Sequence, residues 1–338
     1  METTHDTQDG RKSRQGYDAV VVGGGAAGLS AGLTLARARR SVLVVDAGSP
    51  RNAPAAGVHG FLTRDGISPA ELVRLGTEEV RRYGGEVVPG TVTEVVVDPD
   101  LVDGETGFVV RLGDGTRVRA RRLVAATGLV DELPDVPGVA ERWGRDVVHC
   151  PYCHGYEVRD QALGVLATGP LAVHQALLFR QWSADVTLLV HTSAGPTDEE
   201  REQLAARDVT LVEGEVVRLE AADDRVTGVR LADGGTVALD VLVVGAPAVA
   251  RDAFLAGVGL LSEDLVMGGT VVGRGVPAVG PGGATTVPGV FVAGNVTDLR
   301  AQVVHSAGAG VLTGAMVNAD LVTEDTARAV AARRAEYT

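Results

Sequence analysis

Tyr17-Asp18-Ala19-Val20-Val21-Val22-Gly23-Gly24-Gly25-Ala26-Ala27-Gly28 is the stretch on which the fold turns. Its apolar run reads as a buried strand, and the small-residue sequence that follows, to about Arg39, as a helix. A second apolar strand over 41–45 ends at Asp46. Strand, helix and strand in that order form a βαβ unit whose strands lie parallel. The glycines sit where a dinucleotide fingerprint needs them. Gly23 permits the tight turn, Gly25 lets a pyrophosphate approach the N–H groups around Ala26 and Ala27 at the positive helix end, and Gly28 allows helix and strand to pack closely. Asp46, eighteen residues beyond Gly28, is placed to accept hydrogen bonds from an adenosine ribose. Glycines in a turn can also serve packing alone; the carboxylate at the next strand end argues for a dinucleotide. Whether that is FAD or NAD, the fingerprint does not say.

The same order recurs as a strand over 162–168, a turn at Gly169-Pro170, a helix over 171–182 and a strand over 185–190. Between the two units lies a hairpin region. Strands over 87–98 and 107–112 are joined to 118–125 through Gly113-Asp114-Gly115 and end in Ala126-Thr127-Gly128. The Pro-rich link Leu133-Pro134-Asp135-Val136-Pro137-Gly138 marks a domain boundary. The second unit continues with strands over 210–219, 226–231 and 241–244. After about Asp252 the chain returns to the first unit with a strand over 290–293 and a helix from about Ala301. The expected fold class is α/β, with two Rossmann-like (three-layer ββα) dinucleotide-binding domains, the second inserted into the first. The expected parts are a disordered tail over 1–16, a first domain over 17–136 plus 252–322, a second over 139–250, and a C-terminal tail over 323–338 with a short helix.

The chain has 338 residues, 45% hydrophobic and 22% charged, which suits a soluble protein of two domains. No run of 18 uncharged apolar residues occurs, so no membrane span is expected. The net charge of −13, without a Lys/Arg block, argues against nucleic acid as a partner. The first sixteen residues are polar and lack the apolar core of a secretory signal, which makes the cytoplasm the expected compartment. There most thiols are kept reduced, and a closely spaced cysteine pair is more often catalytic than structural.

That pair lies in His149-Cys150-Pro151-Tyr152-Cys153-His154-Gly155 and accounts for both cysteines of the chain. Two cysteines cannot build a Cys₄ zinc site, and the adjacent histidines have the wrong spacing for a finger, so no metal is expected. A C-x-x-C spacing lets two thiols close a small ring, and a helix start or His⁺ nearby stabilises a thiolate. Two inert buried thiols are the plainer alternative. Glutaredoxins also carry CPYC, but there the motif follows the first strand of a small domain. Here it heads a second dinucleotide-type unit.

Thr286-Val287-Pro288-Gly289-Val290-Phe291-Val292-Ala293-Gly294-Asn295-Val296 runs from a strand into a glycine turn. It resembles the second flavin-binding segment of disulfide-reductase flavoproteins, where an Asp after the glycine holds the ribityl chain. Asn295 stands in its place, able to accept through its amide oxygen and also to donate. Ala126-Thr127-Gly128 resembles a third element of that family. Gln302 and the small-residue helix that begins about Val303 suit the wall beneath an isoalloxazine. From residue 17 to 322 the chain resembles the low-molecular-weight thioredoxin reductase family, with the fingerprint, the C-x-x-C and the 290–296 segment in that family's order. The resemblance implies FAD as cofactor and a homodimer. It also implies that Cys153 faces the flavin and Cys150 exchanges with substrate.

Reductases of that family draw electrons from NADPH through a glycine motif and an arginine cluster in the second domain. Here the turn reads Ala167-Thr168-Gly169-Pro170-Leu171-Ala172, and Pro170 removes a donor N–H near the helix start. After the next strand, Asp198, Glu199 and Glu200 precede the first arginine, Arg201, where a 2′-phosphate needs a guanidinium fork. NADPH binding is therefore expected to be lost or poor. Flavin and dithiol without that electron source resemble the branch of dithiol oxidases that close the disulfides of gliotoxin- and holomycin-type natural products. The resemblance implies a small-molecule dithiol as substrate and O₂ as terminal acceptor. It extends to His154, which stands where thioredoxin reductases carry Asp. Titrating near neutral pH, His154 would deprotonate a thiol, with His149 as second candidate and capping histidines as the plainer alternative. His305 reads as a packed helix residue, with a place near the flavin as the alternative, and His174 and His191 as structural. Two other functions stay open: an NAD(P)H-dependent reductase of a protein disulfide, and a flavin-loaded redox sensor without turnover.

Overall fold

Strands without charge at their centres are buried on both faces, as parallel strands between covering layers must be. The computed structural model of the chain describes residues 16–100, 107–267 and 269–337, so the expected N-terminal tail lies, through residue 15, outside the described residues. β1 (Gly16–Val22), α1 (Ala26–Arg37) and β2 (Val42–Asp46) make the expected unit, with Val20 opposite Leu43 in parallel register. α2 (Pro69–Arg82) is absent from the sequence expectations. Ser68 caps it by accepting the Glu71 N–H at 3.2 Å, and Pro69 fills its first position. α2 leads to β3 (Glu86–Pro89), parallel to β2, and then to an antiparallel meander of β4 (Val92–Val97), β5 (Phe108–Leu112) and β6 (Arg117–Ala125). The strand expected over 87–98 is thus two strands. At Pro89, which has no N–H to continue the ladder, the chain leaves β2 to pair with β5 instead.

β7 (Leu129–Asp131) carries the chain out of the first sheet. α3 (Val139–Arg142), β8 (Val147–Val148), α4 (Pro151–His154), β9 (Leu163–Leu166), α5 (Ala172–Phe179), β10 (Val186–Leu189), α6 (Asp198–Ala206) and β11 (Thr210–Val212) follow. Then come a second meander, β12 (Val216–Ala222), β13 (Arg225–Leu231) and β14 (Thr236–Ala238), and β15 (Val241–Val244). The second sheet is parallel throughout, in the order β11-β10-β9-β15-β8. The strand expected over 210–219 also divides, since β11 pairs with β10 and β12 with β13. β16 (Ala248–Ala250) brings the chain back antiparallel to β7. β17 (Glu263–Met267) and β18 (Thr270–Gly275) extend that pair into a four-stranded sheet.

β19 (Val290–Val292) completes the first sheet beside the second half of β6, opposite Leu123, Val124 and Ala125. The result is two Rossmann-like α/β units, the second set into the first. α7 (Val303–Ala335) is one continuous helix, so the separate tail helix expected from residue 323 is instead its end. Side-chain pairing explains the continuation. Val317 and Leu321 are buried, and Arg122, 3% exposed, pairs with Asp320 and, at 2.7 Å, with Glu324. Arg121 and Arg40 both reach Asp325, at 2.5 and 2.7 Å.

α7 lies against α1 with no room for a side chain at Gly310, where a Cβ would collide with the Ala27 carbonyl oxygen; one at Gly314 would stand 2.8 Å from Thr34 Cβ. A Cβ at Gly308, exposed on the same helix, would meet nothing within 4 Å beyond the helix's own backbone. Gly310→Val is expected to lower stability by about 1–3 kcal/mol through overpacking. Gly308→Ala is expected to raise it by up to about 1 kcal/mol through helix propensity. Urea denaturation of the two variants checks both signs.

Candidate functional site

The first wall is the turn from β1 into α1. Gly23 has φ +107°, a backbone conformation that a side chain would strain, and a Cβ on Gly28 would strike the Gly23 carbonyl oxygen. Gly25 is the N-cap, without a side-chain cap, and space above its Cα is open. The first N–H groups of α1 are thus left for a ligand at the positive end of the helix. At the end of β2, Asp46 Oδ1 accepts the Gly24 N–H at 3.2 Å.

The second wall is the exit from β6. The Ala126 N–H donates to Val22 O at 2.8 Å, and Thr127 Oγ1 donates to Arg251 O at 2.7 Å. The peptide at Gly128, with φ +68°, accepts from the Arg251 N–H. The third wall follows β19. Gly294 packs where a Cβ would meet Ala27 Cβ at 2.8 Å. Asn295 donates through Nδ2 to the carbonyl oxygens of Asp298 and Ala301, at 2.9 and 2.8 Å. Both donors are taken by its own loop, which leaves the amide oxygen as acceptor. An Asp could not make those two bonds, a physical reason for Asn at this position. Gln302 is the N-cap of α7, and Val303 its first residue.

The dithiol is the fourth wall. Cys150 is the N-cap of α4, and its carbonyl accepts the N–H groups of Cys153 and His154 at 3.2 and 3.1 Å. The two thiols are free and half-buried, with their Sγ atoms 2.6 Å apart. The hydrogen bond that Cys153 donates draws the Cys150 thiol down to about 7. Burial opposes this, while the N–H groups of Cys153 and Tyr152 and the Gln302 amide assist. Cys153 is pushed up by that same bond and by burial. Gln302 Nε2 lies 3.9 Å from Cys153 Sγ, so the residue expected at the flavin wall also touches the thiol pair.

His154 differs from its expectation. Burial lowers its pKa below the ordinary histidine value, with Glu157 opposing, and both ring nitrogens are buried without a hydrogen-bond partner among the described residues. Its neutral form, the one that takes up a proton, is therefore favoured. His149 departs further: burial first, and Arg51 second, hold it down at about 4. Its ring stacks on Trp143 at 5.6 Å, and its carbonyl accepts from Gln175 Nε2 at 3.1 Å. His305 is exposed rather than packed, and His191 Nδ1 accepts the Val216 N–H at 3.1 Å.

One cavity of about 1000 Å³ joins these walls. Gly23, Gly25, Ala26, Ala27, Asp46, Ala126, Thr127, Gly128, Asn295, Gln302 and Val303 line it, and so do His149, Cys150, Cys153 and His154. Gly28 and Gly294 are outside the lining and act through close packing. The residues fit a dinucleotide cofactor: uncapped N–H groups stand at a helix start, a carboxylate at the next strand end, and an amide acceptor opposite. The second β-turn-α unit is arranged differently. Thr168 Oγ1 donates across the turn to Gly245 O. The start of α6 is closed by its own capping box of Thr197 and Glu200, and Arg201 is paired with Glu213 at 3.2 Å. Sequence reasoning missed Arg51, His59 and Trp143 in the cavity wall. No motif marks them, because Arg51 meets its partner Asp131 eighty positions away.

Comparison with known proteins agrees with this arrangement. The pyridine nucleotide-disulphide oxidoreductase family matches residues 17–310. Thioredoxin reductase tcpT of Claviceps purpurea (strain 20.1) is 31% identical over 315 residues, 91% of this chain and 95% of that protein. Thioredoxin reductase sirT of Leptosphaeria maculans is 31% identical over 325 residues, 92% and 96% of the two chains. The crystal structure of HlmI superposes with a TM-score of 0.88 at 48% identity, covering 96% of this chain and 99% of that one.

With the dithiol reduced, limiting iodoacetamide at neutral pH is expected to alkylate Cys150 before Cys153. The rate should fall as pH drops below about 7, where Cys150 takes up its proton. Peptide mapping across a pH series checks the order of alkylation.

Proposed function

This chain belongs to the pyridine nucleotide-disulphide oxidoreductase family as a thioredoxin-reductase-like flavoprotein, and from that premise we propose that it is an FAD-dependent dithiol oxidase. Its proposed substrate is a small natural-product dithiol, which leaves as a disulfide, and O₂ is the terminal acceptor. The observation that carries this reading is the second dinucleotide-type unit. Arg201, the first arginine after β10, is paired with Glu213 and the start of α6 is self-capped, so the adenosine 2′-phosphate of NADPH meets acids instead of a free guanidinium. The lining of one cavity by both the thiol pair and the glycine turn of the first unit supports this reading.

A substrate thiolate attacks Cys150 Sγ of the enzyme disulfide, the S–S bond breaks, and Cys153 takes the electron pair. The second substrate thiolate then attacks the substrate sulfur of the mixed disulfide. The substrate disulfide closes and Cys150 departs as thiolate. A thiol with a depressed pKa is the better leaving group, and Cys150 is the one drawn down to about 7. His154, held toward its neutral form by burial and with both ring nitrogens unpartnered among the described residues, takes the substrate proton. Gln302, beside Cys153 Sγ, supports Cys153 as the thiol that faces the cofactor. The glycine turn over 23–27, Asp46 and Asn295 would hold FAD, which would supply a two-electron acceptor for the enzyme dithiol, with O₂ as the proposed terminal acceptor and hydrogen peroxide as the reduced product.

A second reading, an NAD(P)H-dependent disulfide reductase, is favoured by the names of the fungal relatives and by the retained β9–α5–β10 unit. Anaerobic stopped-flow mixing separates the two. Dithiothreitol is expected to bleach the visible flavin band rapidly and NADPH to leave it unchanged, with Cys153→Ser abolishing the dithiol response. Rapid bleaching by NADPH alone would reverse the assignment.

A further inference from the structure

Arg51 lies in the loop after β2, within the cavity wall. Its guanidinium grips Asp131 of β7 in a fork, Nε to Oδ2 at 2.7 Å and Nη2 to Oδ1 at 2.5 Å. The Asp131 side chain is only 6% exposed. The same Nη2 stands 3.4 Å from Nε2 of His149, the residue before Cys150. One side chain therefore ties the dinucleotide-side loop, the strand by which the chain leaves the first sheet, and the head of the redox helix. A bidentate fork of this kind fixes orientation as well as charge.

We propose that Arg51 is a positioning residue for the redox centre: clamped by Asp131, it holds the His149 ring in place as an uncharged neighbour and supplies the counter-charge for a thiolate on the Cys150–Cys153 pair. The histidines that flank the pair do not supply that charge at neutral pH, since burial holds both below their ordinary range. Arg51 is a permanent cation, and it favours the ionised form of Cys153 while disfavouring charge on His149. Asp131 lies under Arg51, and Glu157 and His59 beyond His154; Asp46, Arg251, Asp252 and Arg300 are further charged residues in the same cavity lining. Dithiol oxidation through Cys153 leaves a thiolate in a part-buried cavity, where an uncompensated charge is costly. The inference rests on Cys150 and Cys153 as the redox pair and is indifferent to the direction of electron flow.

The sign of the effect distinguishes charge from scaffolding. Reduced Cys150→Ser holoenzyme, in which Cys153 is the one remaining cysteine, is alkylated with iodoacetamide across a pH series, and the midpoint of the Cys153 ionisation is read from the rates. Arg51→Gln is expected to raise that midpoint by about one unit, slowing alkylation about tenfold below it, since Arg51 favours the ionised form of Cys153 and its removal takes that opposite charge away. Asp131→Asn leaves the cation uncompensated and is expected to lower the midpoint. A merely structural clamp would move both variants the same way or move neither. Either result, in protein that retains flavin by its absorption spectrum, overturns the inference. Should Arg51→Gln lose its flavin, the downward shift in Asp131→Asn decides alone. A Cys153 thiol that shows no ionisation in the series with Arg51 and Asp131 intact would instead defeat the redox-pair reading on which the inference rests.

Discussion

Where α1 meets the β1 turn and the middle of α7, glycine and alanine let the backbones approach closely. Gly28 brings α1 onto the β1 turn, and Gly310 and Gly314 bring α7 onto α1, with distances that no larger side chain fits. The start of α1, without a side-chain cap, lies in the cavity wall, where its first N–H groups can meet an acceptor. The close approach also sets where α7 begins. Gln302, the cap of α7, is thereby carried to the sulfur of Cys153. A packing constraint in the first unit thus fixes the meeting point of cofactor wall and dithiol.

The electrostatics of the site follow from burial. Half-buried thiols and buried imidazoles pay a penalty for charge, so both histidines remain neutral and the pair shares one ionisation between two sulfurs. Fixed charge enters through Arg51, itself neutralised in part by Asp131. A neutral His154 and an acidified Cys150 suit thiol–disulfide exchange in either direction. Oxidation is the proposed direction because of the second unit, where α6 is capped by its own Thr197 and Glu200 and Arg201 is paired with Glu213.

Patterns with local causes were legible in the chain. The strand–glycine–helix order, Asp46 at its offset, and C-x-x-C spacing depend on a few neighbouring residues, and the structure brings those residues to one cavity. Partner changes were not legible. The strands over 87–98 and 210–219 look continuous because each run is β-prone throughout, yet β3 and β11 join parallel sheets while β4 and β12 join meanders. The end of α7 is read correctly only with Arg40, Arg121 and Arg122 beside it.

The amino-acid sequence by itself determined the two α/β units, the presence of a redox-capable cysteine pair and the residues of the dinucleotide turn, because hydrophobic period, glycine geometry and ring closure act over a few residues. Tertiary structure alone decided the protonation of His149 and His154, the use of both Asn295 donors in its own loop, and the place of Arg51. Each of these depends on burial or on a partner brought from far along the chain, and neither quantity is carried by a residue or by its spacing.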